Sequence, residues 1–283
     1  MFVFKAAVVG AGTMGGEIAQ TIAAADIPVV LKDVDPKFVD QGLDKARSLF
    51  EVRVQAGRLD PAERDRQLAL ITGTTGYEGF GDVDFVIEAV PERMAIKQTV
   101  FAELDEVTPG HAVLASNTSS LSITEMAEVT GRPDRVVGFH FFFPASVMRL
   151  VEVVEGQDTS AETAQAAANF AAAIRKTPIR CGEAPGFVVN RILNAAVSEL
   201  WRHQHETGVA IPELDRVVAE TKVAPMGPFY LTDLLGLDTV LHVAEHLRDA
   251  YGDRFFVHPE MRSLVAAGHL GAKTGKGFYE HSA

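Results

Sequence analysis

Residues 8–15 read Val8-Val9-Gly10-Ala11-Gly12-Thr13-Met14-Gly15, a G-x-G-x-x-G motif at the junction of two periodicities. The unbroken apolar run Ala6–Val9 reads as a buried parallel strand. Thr13–Ala25 places Ile18, Ile22 and Ala25 at helical spacing. Strand, glycines and helix in that order make the motif a dinucleotide-binding signature rather than a turn alone. Gly10 permits the tight turn, Gly12 lets the backbone approach a pyrophosphate, and Gly15 lets helix and strand pack closely. The N–H groups opening the helix, around Thr13 and Met14, then face the anion along the helix dipole. Asp33 ends the second strand, 18 residues beyond Gly15 (33 − 15). A carboxylate there accepts hydrogen bonds from both ribose hydroxyls and repels a 2′-phosphate, which favours NAD over NADP. The neighbouring Lys32 would soften that preference.

Outward from the motif the first half alternates. Val29–Leu31, Phe85–Val90, Val113–Ala115, Val136–Phe139 and Leu150–Val154 are strand candidates, with helices between most of them, including a long charged one over Phe38–Ala56. The pattern predicts an α/β fold with a doubly wound, mostly parallel sheet. The Ala-rich stretch Ala161–Ala173 reads as a surface helix. Beyond Gly182-Glu183-Ala184-Pro185-Gly186 the strand signals stop. Val188–Glu206, Glu213–Thr221, Thr232–Ala250 and Pro259–Ala267 read as helices. The expected division is a Rossmann-type NAD-binding domain over residues 1–182 and an all-α domain over 183–283.

Bulk properties narrow the class. At 283 residues the chain can hold two domains. Its net charge of −12 argues against nucleic acid as a partner. A lone cysteine, Cys181, excludes an internal disulfide and fits a reducing compartment. The short apolar start interrupted by Lys5 is no signal peptide, and no run reaches membrane-spanning length, so a soluble, cytoplasmic protein is expected. No membrane partner and no metal are expected.

The chemistry lies in Val136-Val137-Gly138-Phe139-His140-Phe141-Phe142-Phe143-Pro144. His140 ends an apolar run, and Glu152, inside the next run, follows twelve residues later. A histidine with a carboxylate partner is a base suited to near-neutral pH. Beside a dinucleotide fold, the pair points to a dehydrogenase.

Together the motifs resemble the short 3-hydroxyacyl-CoA dehydrogenases. The resemblance spans nearly the whole chain. It includes Gly10–Gly16, Val86-Ile87-Glu88-Ala89-Val90-Pro91-Glu92, Ser116-Asn117-Thr118-Ser119-Ser120, the His140 stretch and Pro185-Gly186-Phe187-Val188-Val189-Asn190-Arg191. Gly227-Pro228-Phe229, the segment Asp233–Thr239 and Lys273-Thr274-Gly275-Lys276-Gly277-Phe278-Tyr279 also match. The resemblance implies His140 as catalytic base, Glu152 as its orienting partner, and Ser119 and Asn190 as holders of the substrate's reacting oxygens. Glu92, Lys97, Ser119 and Lys273 match positions that contact NAD. The family's helical second domain usually forms a dimer, so a homodimer through residues 183–283 is implied. An acyl-CoA substrate is implied too, and Arg53 on the charged helix is the candidate for its phosphates.

One position departs from the family, which usually has asparagine where this chain has Phe143. Phenylalanine removes an amide and adds bulk, which is expected to alter acyl preference or turnover while leaving the His140–Glu152 pair intact. Two other readings stay open on the sequence. One is a dehydrogenase of free 3-hydroxy acids, anchored by Arg149 or Arg191. The other is a non-catalytic NAD-binding relative, for which Phe143 is the only argument.

Overall fold

The computed structural model describes residues 2–281, which divide after Glu183 into two compact units. The first carries eight strands: β1 (Ala6–Val9), β2 (Val29–Lys32), β3 (Ile71–Thr74), β4 (Phe85–Glu88), β5 (Val113–Ser116), β6 (Val136–Phe141), β7 (Leu150–Glu155) and β8 (Thr177–Gly182). They form one sheet in the order β3-β2-β1-β4-β5-β6-β7-β8. The helices between them are α1 (Thr13–Ala23), α2 (Pro36–Gln55), α3 (Pro61–Leu68), α4 (Met94–Val107), α5 (Ile123–Ala127) and α6 (Ala161–Ala173). The order reverses between β1 and β4, so the carboxyl ends of those two strands flank a topological switch point, where open α/β sheets bind ligands.

β1, β2, β4 and β5 are buried along their whole length, which explains why their sequences are continuous apolar runs. Every neighbouring pair is parallel except β6–β7, which is antiparallel. The link between those two, residues 142–149, is too short for the dozen or so residues a parallel crossover needs.

Two strands add to those expected. β3 and β8 were not foreseen as strands. β3 reads Ile-Thr-Gly-Thr and lies at the sheet edge, half exposed, so no apolar run marks it. β8 forms the other edge, where Pro178 and the polar Arg180 are tolerated. The Ala-rich helix α6 is a surface helix with Glu162, Gln165 and Asn169 exposed on its outer face. Ala164, Ala167, Phe170 and Ala171 are buried on the sheet, and the alanines permit close approach.

The second unit holds α7 (Val189–Thr207), α8 (Ile211–Glu220), α9 (Pro228–Leu235), α10 (Leu237–Tyr251) and α11 (Pro259–Ala266). The single helix expected over Thr232–Ala250 is instead two, broken at Gly236, whose φ of +94° suits only glycine. Trp201, Leu214, Phe229, Leu237 and Met261 form its core. Two buried carboxylates brace the unit. Asp215 accepts from the Phe229 and Tyr230 N–H groups and the Tyr279 hydroxyl, and Asp233 from the Phe278 and Tyr279 N–H groups. No helix among the described residues is long and apolar enough to cross a membrane.

Candidate active site

Strand alternation sorts β6 into two faces. Phe139 and Phe141 enter the core, where Phe139 packs on Phe85 and Phe170. His140 points the other way, directly opposite Glu152 in the antiparallel register, while Val151 and Val153 join the core. The His140 Nδ1 lies 2.7 Å from Glu152 Oε2. Glu152 is fully buried and His140 is 6% exposed. A carboxylate so enclosed is tolerated only with a donor in place, and the imidazole N–H is one. With a carboxylate as the acceptor, that contact places the proton of the neutral ring on Nδ1. The His140 ring also lies against Phe142, centroids 4.6 Å apart.

The segment after β5 carries Ser119. Asn117 Oδ1 accepts a hydrogen bond from the Phe141 N–H (2.9 Å), which ties this segment to the strand of His140. Glu92 Oε1 accepts from the Thr118 hydroxyl (2.6 Å), the Ser119 N–H (2.9 Å) and the Ser119 hydroxyl (3.3 Å). Ser119 does not cap the following helix. Ser122 does, accepting from the Glu125 N–H, while its hydroxyl donates to Glu183.

Behind Glu92 lies a buried charge cluster. Lys97 is 1% exposed; its ammonium donates to both Glu88 oxygens (2.7 and 3.0 Å) and lies 3.2 Å from Glu92. Burial opposes ionisation of Glu92, but the Lys97 charge and the Thr118 and Ser119 donors outweigh it and hold the carboxyl below its ordinary range. Glu88 is more deeply buried, and burial pushes its carboxyl up against the pull of Lys97 and Ser116.

At the nucleotide end the glycines do separate jobs. Gly10 has φ +101°, and a side chain there would meet the Ala89 carbonyl. A Cβ on Gly15 would sit 1.7 Å from the Gly10 carbonyl oxygen, so the close helix–strand packing requires glycine. A Cβ on Gly12 would meet nothing within 4 Å, which leaves open space at the start of α1. α1 has no side-chain cap there. An open cradle beside uncapped N–H groups fits a pyrophosphate. Asp33 closes the other side. Its Oδ2 accepts from the Ala11 N–H and its Oδ1 from the Val34 N–H, both at 2.7 Å, each leaving acceptor capacity for a ribose. Lys32 is buried, with its ammonium 4.5 Å from the Tyr77 ring centre.

The remaining predicted residues are spread out. Arg53, late in α2, lines a cleft of roughly 200 Å³ together with Arg149, Arg175 and Lys176. In the second unit, Asn190 lies in the first turn of α7 and its carbonyl accepts from Asn194. Lys273 pairs with Asp238 at 2.5 Å, beside the Gly236 break.

Comparison with known proteins bears on what this arrangement is for. Residues 5–184 match the model of the 3-hydroxyacyl-CoA dehydrogenase NAD-binding domain, and residues 186–281 match that of the 3-hydroxyacyl-CoA dehydrogenase C-terminal domain. The chain belongs to the 3-hydroxyacyl-CoA dehydrogenase family. It is therefore an NAD-dependent oxidoreductase. It is 40% identical to a 3-hydroxybutyryl-CoA dehydrogenase of Clostridioides difficile over 98% of this chain and 99% of that one. It is 42% identical to a probable 3-hydroxybutyryl-CoA dehydrogenase of Bacillus subtilis over 97% and 96%. The crystal structure of (S)-3-hydroxybutyryl-CoA dehydrogenase from Ralstonia eutropha superposes with a TM-score of 0.95 at 38% identity, each chain covered in full.

In the sequence Glu88, Ser116 and Asn117 have no part beyond membership of the matched motifs, yet Glu88 and Ser116 bond each other and Asn117 bonds the strand of His140. The signal for Glu88 was present: a carboxylate closing the apolar run Phe85-Val86-Ile87, with a lysine nine residues on. Arg175 gave no signal, because only the fold brings the turn before β8 to the cleft of Arg53.

Proposed function

We propose that this dehydrogenase interconverts a short-chain (S)-3-hydroxyacyl-CoA and the 3-oxoacyl-CoA, with His140 as catalytic base and Glu152 as its orienting partner. The observation that carries the reading is the 2.7 Å contact between His140 Nδ1 and Glu152 inside the sheet. When bound, NAD supplies the hydride acceptor. The hydroxyl proton passes to Nε2 of neutral His140 in oxidation and returns from the imidazolium in reduction. Glu152 stabilises the charge His140 gains, as a carboxylate does for an imidazolium elsewhere. The 3-hydroxybutyryl-CoA names of the relatives support a short acyl chain.

Gly10, Gly12, Thr13, Met14 and Gly15 would hold the pyrophosphate, and Asp33 the ribose. Glu92 and Ser119 serve the nicotinamide end. Lys97, turned inward onto two carboxylates, acts there by holding Glu92. Ser119 and Asn190 position the substrate's reacting oxygens. Lys273 is assigned to NAD on resemblance alone, since its ammonium is committed to Asp238.

Arg53 takes part in binding the CoA phosphates. Supporting this, Arg53, Arg149 and Arg175 line one cleft with no carboxylate among its lining residues. The chain works in the cytoplasm as a homodimer joined through residues 183–283. The exposed Ile192, Leu193, Leu234 and Leu235 of the second unit suit a face between copies.

The reading is tested by loss of NADH absorbance with acetoacetyl-CoA, beside NADPH and free acetoacetate. Turnover confined to NADH and the thioester is expected. Faster turnover of the free acid would overturn it.

A further inference from the structure

Glu88 is fully buried at the carboxyl end of β4, level in register with Val9 of β1 and Ser116 of β5, beside the topological switch point. Its side chain is saturated with donors. Oε1 accepts from the Val90 N–H and the Lys97 ammonium, both at 2.7 Å; Oε2 accepts from Lys97 at 3.0 Å and from the Ser116 hydroxyl at 2.6 Å. The Ser116 hydroxyl in turn accepts from the Thr118 N–H at 3.1 Å. The 116–120 segment is thus gripped by two carboxylates, Glu88 at its start and Glu92 at Thr118 and Ser119, with one ammonium between them.

Two carboxyl groups share one ammonium here, and Glu88 and Lys97 are both out of contact with solvent. A structural ion pair needs only two partners, and a buried pair is often no more stabilising than apolar residues of the same volume. The third member therefore wants another explanation. Lys97 has no solvent-facing freedom: its ammonium also donates to the Val90 carbonyl at 3.3 Å. Glu88 fixes where that ammonium stands, and the ammonium fixes one oxygen of Glu92. The other Glu92 oxygen is then aimed at Ser119. Without Glu88, Lys97 is free to move toward Glu92 and draw that carboxylate off Ser119.

We propose that Glu88 is a positioning residue for the dehydrogenase reaction: acting through Lys97, it sets the orientation of Glu92 and so of Ser119. The inference rests on the assignment of Glu92 and Ser119 to the nicotinamide end of the site.

The test is a double-mutant cycle in the full-length protein, reading kcat and KM for NADH with acetoacetyl-CoA. Glu88→Gln and Glu92→Gln are each expected to lower kcat/KM about 10- to 100-fold, carried mainly by kcat and the KM for NADH. Because both act on one element, the double variant should be no worse than the poorer single one. Losses that multiply would overturn the proposal, as would Glu88→Gln with unchanged kinetics. Where Glu88→Gln fails to fold, Glu88→Leu with Lys97→Met removes both charges together. That pair should restore folding without restoring kcat, and full activity in it would also overturn the proposal. Failure of the parent reading is distinguishable, since wild-type protein would then show no NADH-dependent turnover.

Discussion

His140 and Glu152 face each other across the only antiparallel strand pair of the described sheet, and their side chains meet at 2.7 Å. A parallel neighbour would have required a crossover and a longer connection. The eight-residue return after β6 instead places a buried carboxylate level with the imidazole. Glu152→Gln keeps the shape but removes the charge that, in the proposed reaction, steadies the imidazolium. Its kcat should fall about 10²- to 10³-fold with little change in the KM for NADH, measured by steady-state kinetics. A loss under threefold would make Glu152 a structural partner only.

Much of this was readable in the chain. The G-x-G-x-x-G junction, Asp33, His140 and Glu152 announce themselves because each sits at the end of, or within, a continuous apolar run, where a glycine or charged residue is conspicuous. β3 and β8 did not, because edge strands with one exposed side carry Thr, Gly, Pro and Arg and lose the apolar signature. The role of Lys97 was visible only in part. The family resemblance implied a contact with NAD, but its direction, inward onto Glu88 and Glu92, is set by packing.

Phe143 follows β6 and is 53% exposed, so the fold does not depend on it. Phe143→Asn should leave thermal stability within about 0.5 kcal/mol of wild type, as surface changes do. Its effect should be a change of acyl preference, read as the ratio of kcat/KM for four-carbon and longer 3-oxoacyl-CoA substrates. An increase of orders of magnitude on acetoacetyl-CoA would show that the natural substrate is something else.

The arginine cleft predicts a contribution confined to the nucleotide part of CoA. Arg53→Ala and Arg175→Ala should each raise the KM for acetoacetyl-CoA about tenfold, the worth of one charge-assisted hydrogen bond. Neither should change the KM for acetoacetyl-pantetheine, which lacks the phosphates. Equal effects on both substrates would remove the cleft from CoA recognition.

His258 in the second unit gives a pH signature of stability. It is 3% exposed among Phe229, Phe256 and Phe278, with Nε2 on Gln204. Burial, with a smaller push from His205, lowers its pKa from 6.5 to about 4. In that window the unfolded chain binds a proton that the folded chain does not, so stability falls as pH falls from 6.5 towards 4. Thermal unfolding between pH 7 and pH 4 should show a Tm that drops through this range, with a shallower drop in His258→Gln. Parallel curves would assign the acid sensitivity elsewhere.

Proton transfer by His140 is the step on which the proposed reaction depends most. The most direct measurement compares wild type and His140→Ala for NADH oxidation with acetoacetyl-CoA, with NADH affinity measured separately by fluorescence. The expected result is a fall in kcat of about 10²- to 10⁴-fold with NADH affinity unchanged. A variant that binds NADH normally and retains wild-type turnover would contradict it.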